Sequence, residues 1–247
     1  MESPGAHRGG RGSAAFLRSP LDPRGLPRLE EAVEAHTAPL DAAEREALAE
    51  PLWADVFSEY DARLLAAHLG RLGLPFTEAF RSCVHHWAAD EELHHRGFLH
   101  AYAALTGRPT RALEAELEGR GATVDFGPLE PLFEDELSIT CLFAYDELAT
   151  VDAYLAGRAA HARLGPELER FARVVTADEG RHFRNFLKLV RQEHGERLDE
   201  VPGIVARIRG LEGTRYAATF VLDHDDDVWS EGLFDRAAGR LCRHLAV

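Results

Sequence analysis

Two Glu-x-x-His pairs constrain what this chain can become. Glu91/His94 and Glu179/His182 each lie mid-way along a stretch of helical periodicity. On a helix this spacing puts both side chains on one face, about one turn apart. Trp87 and Phe98 flank the first pair at helical spacing, and Val175 and Phe183 flank the second. A carboxylate within an apolar stripe is costly unless it is paired or bound to a metal. The fold must therefore supply these groups with partners in its interior. A chain with 13 His also produces the motif by chance, as at Glu92/His95, so position along the chain carries the argument.

The surrounding pattern predicts an all-α fold. Short helices are predicted over 29–35 and 41–50, the second capped by Asp41 with Glu44 three residues on. Long helices are predicted over 52–72, 77–105, 134–164 and 167–194. Gly73-Leu74-Pro75 separates the first two and Gly165-Pro166 the last two. A mixed connection, 110–133, with a Gly/Pro-rich turn at Gly119–Pro131, joins the two hairpins. This is the layout of a four-helix bundle with a long crossover and additional short helices. Beyond Gly195 the pattern predicts a helix near 201–209, an extended piece at Tyr216–Leu222, an acidic run at Asp223–Asp227 and a last helix near 230–245. Residues 1–28, rich in Gly, Arg, Pro and Ser, read as a flexible tail. Residues 29–247 read as one domain with a C-terminal extension.

A dinuclear carboxylate site needs one further Glu from each of the other two helices. Residues equidistant from a hairpin turn face each other. Glu59 and Glu91 are symmetric about Pro75, and Glu147 and Glu179 about Arg163, beside the second turn. The candidate metal ligands are therefore Glu59, Glu91, His94, Glu147, Glu179 and His182. Asp61 is the alternative on the first helix, since Phe57, Leu64, Leu65 and His68 share its face. A ligating His usually donates its other N–H to a carboxylate. Asp90 and Asp178, each just before its motif Glu, are expected to orient the histidine on the opposing helix. Glu92, His95, His85, His86 and His100 read as surface groups or as outer partners of the site. Trp87, Ala88, Phe98, Phe143, Thr176 and Phe183, with Phe186, are the candidate wall of a substrate pocket. Taken singly, each of these aromatics reads first as ordinary bundle core and only second as a substrate contact.

At these residues the chain resembles the ferritin-like diiron oxygenases, and within them most the soluble acyl-carrier-protein desaturases. Trp87-Ala-Ala-Asp-Glu91-Glu-Leu-His94 resembles that family's Trp-x-x-acid-Glu-x-x-His helix. Asp146-Glu147-Leu-Ala-Thr150 resembles its Glu-x-Ala-Thr segment, and Ala177-Asp178-Glu179-Gly-Arg181-His182 its Ala-Asp-Glu-x-Arg-His segment. The likeness spans about residues 50–195. The family's Glu-x-x-Leu-Pro-x-Tyr pattern is not visible around Glu59, and Glu-Glu-Leu-His-His-Arg-Gly-Phe98 is also similar to aldehyde-deformylating oxygenases. The resemblance implies two iron ions held by four carboxylates and two imidazoles. It also implies O2-dependent desaturation or hydroxylation of an acyl chain carried as a thioester. An acyl carrier protein, an external electron donor such as ferredoxin, and a homodimeric assembly come with it. An N-oxygenase of specialised metabolism and a ferroxidase or iron-handling protein are the other readings of the same architecture.

Charge and cysteine content narrow the surroundings. A net charge of −14 argues against nonspecific nucleic-acid binding, which runs on Lys and Arg neutralising phosphates. No apolar run approaches the roughly 18 residues of a spanning helix, and the first residues hold no apolar signal core. Three scattered cysteines, Cys83, Cys141 and Cys242, make no disulfide framework, so a cytoplasmic setting is expected. An acidic carrier protein would require a local basic patch. Arg108, Arg111 and Arg120 in the crossover, or Arg63, Arg71 and Arg81 near the first turn, are the candidates.

Overall fold

The computed structural model describes residues 16–212 and 232–247. Among these residues the protein is all-helical, with no strand. The helices are α1 (Leu26–Thr37), α2 (Ala42–Leu69), α3 (Glu78–Thr106), α4 (Thr110–Gly121), α5 (Glu136–Arg163), α6 (Pro166–Glu193), α7 (Val201–Leu211) and α8 (Leu233–Leu245). Short 3-10 turns lie at Pro23–Gly25, Gly127–Leu132 and Gly195–Glu200. The expected extended piece at 216–222 and the acidic run at 223–227 lie outside the described residues. No helix among the described residues is long and apolar enough to cross a membrane.

Local chemistry sets the helix ends. Asp41 and Glu44 form a reciprocal capping box at the start of α2. Thr77 Oγ1 accepts from Phe80 N at the start of α3, and Asp135 Oδ1 accepts from Ser138 N at the start of α5. Gly165, at φ +112°, turns α5 directly into α6, and a Cβ there would also press on the His36 ring.

Two predicted boundaries differ from the structure. The short helix 41–50 and the long helix 52–72 are one continuous helix, α2, with Pro51 inside it. Proline removes a backbone hydrogen bond and normally breaks a helix interior. Here its ring faces solvent, while Leu48 and Leu52 on either side are buried on the inner face and hold the helix through it. The predicted tail also differs over residues 16–28. That stretch includes a 3-10 turn and the first turn of α1, and Leu26 is buried. Residues 1–15 lie outside the described residues.

α2 packs chiefly on α3, and α5 on α6. α3 also meets α6, α2 meets α5, and α1 lies across α3 and α6. α4 and the Gly127–Leu132 turn form the connection between the hairpins, while α7 and α8 pack on α5. The interior holds two apolar clusters. One gathers Leu65, Trp87, Phe143, Phe186 and the buried faces of α7 and α8. The other gathers Leu52, Phe57, Phe98, Tyr154 and Phe171. Along α3 the first cluster ends at Trp87 and the second begins at Phe98. Along α6 the second ends at Val175 and the first begins at Phe183. A layer of buried charge occupies the gap.

Candidate metal centre

That layer is made by α2, α3, α5 and α6. Glu59, Glu91, His94 and Glu179 offer ligand atoms within 4.8 Å of one another, and so do Glu91, Glu147, Glu179 and His182. All six side chains are 0–2 % exposed. The hairpin symmetry is what brings them level, because each lone Glu sits as far from its turn as the motif Glu does to within about one helical turn. Asp61 is also buried but belongs to neither group.

The two groups share their middle members in a specific way. His94 Nδ1 lies 3.4 Å from Glu59 Oε2, 3.4 Å from Glu91 Oε2 and 3.3 Å from Glu179 Oε1. His182 Nδ1 lies 3.0 Å from Glu91 Oε1, 3.0 Å from Glu179 Oε2 and 3.3 Å from Glu147 Oε2. Glu91 and Glu179 thus turn one oxygen toward each histidine, while Glu59 and Glu147 each serve one. One imidazole nitrogen carries at most one proton, so it cannot donate to three carboxylates at once. Among the described residues, Glu59 Oε2, both Glu91 oxygens, His94 Nδ1, Glu147 Oε2 and Glu179 Oε1 are buried and make no hydrogen bond. Buried polar atoms are nearly always satisfied. Six that converge unsatisfied form a set that could hold a cation.

Outer partners fix the geometry. Trp87 Nε1 donates to Glu147 Oε1 at 2.7 Å, leaving Oε2 turned inward. Tyr154 Oη donates to Glu59 Oε1 in the same manner on the other side. With Nδ1 as the ligand atom, His94 Nε2 donates to Asp178 Oδ2 and His182 Nε2 to Asp90 Oδ2, each at 3.3 Å. Each Asp thus pairs with the histidine of the opposing helix. In the sequence Tyr154 lies two helical turns after Glu147, and Trp87 reads as a flank of the first pair and a pocket wall. Neither donor role follows from helical spacing, because both cross between helices.

The charges explain the titration behaviour. Burial pushes Glu59 up to about 7, aided by the Glu91 charge. Burial likewise lifts Glu147 well above the usual carboxylate range, against the pull of His182. Burial by itself would depress His94 and His182, but the surrounding carboxylates outweigh it and hold both well above the ordinary imidazole value. Burial opposes ionisation of Glu91 and Glu179 too, yet the two imidazoles bring both below the usual range. Four carboxylates carry −4 when ionised, which two divalent cations balance in full.

The remaining expected residues fall elsewhere. His95 is buried, with Nδ1 3.0 Å from Val56 O, and so is a helix-packing group rather than a surface one. Glu92 pairs with Arg63, His86 with Arg18, and His100 with Glu30. Phe98 stacks on Tyr154, Phe143 stacks on Phe186 and meets Trp87 edge-on, and Phe183 meets His244 edge-on. Ala88 and Thr176 are half-buried, and Thr176 Oγ1 donates to Ala172 O of its own helix. A cavity of about 270 Å³ lies between residues 21–29, Leu93 and the Glu167–Val174 part of α6, and none of the seven pocket candidates lines it. Of the arginines, Arg108 pairs with Glu116, Arg120 lies over the Phe57 ring and Arg81 donates to Phe76 O.

The chain matches no known protein-family model, no curated protein and no solved structure. The class the geometry defines is an all-helical protein with buried Glu/His groups that could hold metal ions.

Proposed function

We propose that this chain is a ferritin-like four-helix bundle binding two iron ions, and that it is an O2-dependent non-haem diiron oxidoreductase. The observation that carries the reading is the sharing of Glu91 and Glu179, one oxygen toward each histidine. Glu59 and His94 would complete one iron position, and Glu147 and His182 the other. Iron held there would supply the redox and O2 chemistry, with an external donor such as ferredoxin as the source of electrons. Desaturation of an acyl chain then balances as two C–H bonds broken, one C=C bond formed and O2 reduced to two waters with two further electrons and protons.

The chain's own residues hold, orient and insulate. Trp87 and Tyr154 keep the outer oxygens of Glu147 and Glu59 engaged, so that the inner ones stay free for the metal. Asp90 and Asp178 keep the protons of His182 and His94 on Nε2. The two apolar clusters on either side exclude water. An acyl thioester is the proposed substrate, on the resemblance of the three motif segments.

Anaerobic loading with Fe(II), then exposure to O2, tests the reading. Metal analysis should give two irons per chain, and the optical spectrum should change on oxygenation. Purified iron-loaded protein is then assayed on acyl-carrier thioesters and on arylamines. An oxidised acyl product supports the substrate class. An arylamine product moves the assignment to an N-oxygenase, and iron oxidation without an organic product moves it to a ferroxidase. One iron or none would overturn the site.

A further inference from the structure

The segment before α1 reaches the candidate centre. Leu17 and Asn185 of α6 make a two-way clamp, Leu17 N donating to Asn185 Oδ1 at 3.0 Å and Asn185 Nδ2 to Leu17 O at 2.9 Å. Two residues on, Ser19 touches both aspartates behind the histidines. Its Oγ donates to Asp178 Oδ2 at 2.6 Å, and its backbone N donates to Asp90 Oδ2 at 3.1 Å. In each aspartate this is the same oxygen that accepts from the histidine. The hydroxyl has no freedom to turn away, because Leu21 N donates to Ser19 Oγ at 3.1 Å and so occupies a lone pair.

We propose that Ser19 is a positioning residue of the metal centre, its hydroxyl setting His94 through Asp178 and its backbone N–H setting His182 through Asp90. The inference rests on the two-metal reading above and adds to it a residue 40 positions before the first ligand. A carboxylate with one neighbour can rotate about its χ2 bond. A second donor on the facing oxygen pins that rotation, and with it the ring plane and the Nε2–H tautomer. Asp178 has the Arg181 ion pair besides. That contact goes to Oδ1, and the oxygen facing His94 is held by Ser19 alone among the contacts described for it.

The two arms are chemically different, and that makes the proposal sharp. Ser19→Ala removes the hydroxyl but keeps the backbone N–H. It should weaken the position served by Glu59 and His94 about tenfold or more, on the scale that loss of an outer partner brings. The position served by Glu147 and His182 should change little. Ser19→Thr keeps a hydroxyl and should restore binding. The experiment is an anaerobic titration of wild type, Ser19→Ala and Ser19→Thr with Co(II), followed by its ligand-field absorption, with melts of all three in chelator. The expected result is two bound Co(II) in wild type and in Ser19→Thr, and in Ser19→Ala one step weakened with the other unchanged, whatever the chelator melt loses with the Ser19 hydrogen bonds. Two unchanged steps in Ser19→Ala would overturn the proposal and leave the metal site standing. Equal weakening of both steps would overturn it as well, since Ser19 would then merely tie down its segment. A wild-type protein that takes up no Co(II) would instead overturn the two-metal reading on which the proposal depends.

Discussion

Replacing Glu147 by Gln separates a metal site from a buried salt-bridge cluster. Without metal, burial lifts the Glu147 carboxyl well above its ordinary value, and Glu179 and Glu91 add to this against the pull of His182. The metal-free protein therefore favours the neutral acid there. Glutamine is a neutral isostere and can still accept from Trp87 Nε1 through its carbonyl oxygen. The cost in chelator should stay within about 1 kcal/mol, the worth of one ordinary hydrogen bond. With metal the outcome differs, because the ionised Oε2 is lost as a ligand. If affinity at that position falls by roughly 100-fold, the stabilisation gained at a fixed metal concentration falls by about 2.7 kcal/mol. For a chain of this size that is roughly 5–11 °C in melting temperature. Paired thermal melts, in chelator and in saturating Fe(II) under argon, measure both numbers. An ion-pair cluster predicts the reverse pattern. Breaking a buried pair costs roughly 3–5 kcal/mol, so a large drop in chelator with an unchanged metal-induced shift would refute the argument.

Three further outcomes follow from the geometry. The metal-free protein should lose stability as pH rises from the ordinary carboxylate range toward 7. Glu59, raised to about 7 by burial and then by Glu91, keeps its proton in the folded state over that window while the unfolded chain gives it up. Metal binding should strengthen over the same window, because the metal displaces that proton, and chelator and metal-loaded melts across pH 5–8 check both slopes. Gly97→Ala should destabilise by about 1–3 kcal/mol in urea titration at unchanged metal content, since a Cβ on α3 would lie 2.0 Å from Phe171 Cζ. Glu136→Gln should cost about 1–3 kcal/mol, because Glu136 accepts from Thr77 N, Thr77 Oγ1 and His194 Nε2 and joins the ends of three helices. Burial alone would raise its pKa, but those donors bring it below the usual range. Its contribution is therefore full above the ordinary carboxylate value and fades as pH falls through the folded one, so wild type and variant should converge in acid.

Much of the fold and most of the centre were legible because they are local or symmetric. Asp41, Thr77 and Gly165 act within a few residues of the helix ends they define. The level of Glu59 with Glu91, and of Glu147 with Glu179, follows from counting outward from two short turns. What escaped depends on contacts that no period encodes. Pro51 reads as a break until one sees that its ring faces out and Leu48 and Leu52 face in. Ser19 lies 71 residues from Asp90 and 159 from Asp178, in a stretch whose Gly, Pro and Arg content reads as a tail. Trp87 counts with the apolar residues in a periodicity argument, and only its indole N–H, aimed across to α5, makes it a partner of Glu147. The pocket candidates were chosen as neighbours of the motif Glu along one helix. Phe98, Phe143 and Phe183 instead spend their surfaces on other aromatic rings.

The charged layer between the two apolar clusters also bears on cooperativity. The two clusters are distinct sets of buried apolar side chains, with Leu64 partly buried against both, and α2, α3, α5 and α6 pass from one to the other through buried ionisable groups. Regions joined weakly open as separate units, and amide exchange resolves them. In the metal-free protein, amides beside Phe98 and Phe171 should exchange with one opening free energy and those beside Phe143 and Phe186 with another. Cations held by these Glu and His side chains would couple the halves, so that the protein opens as one.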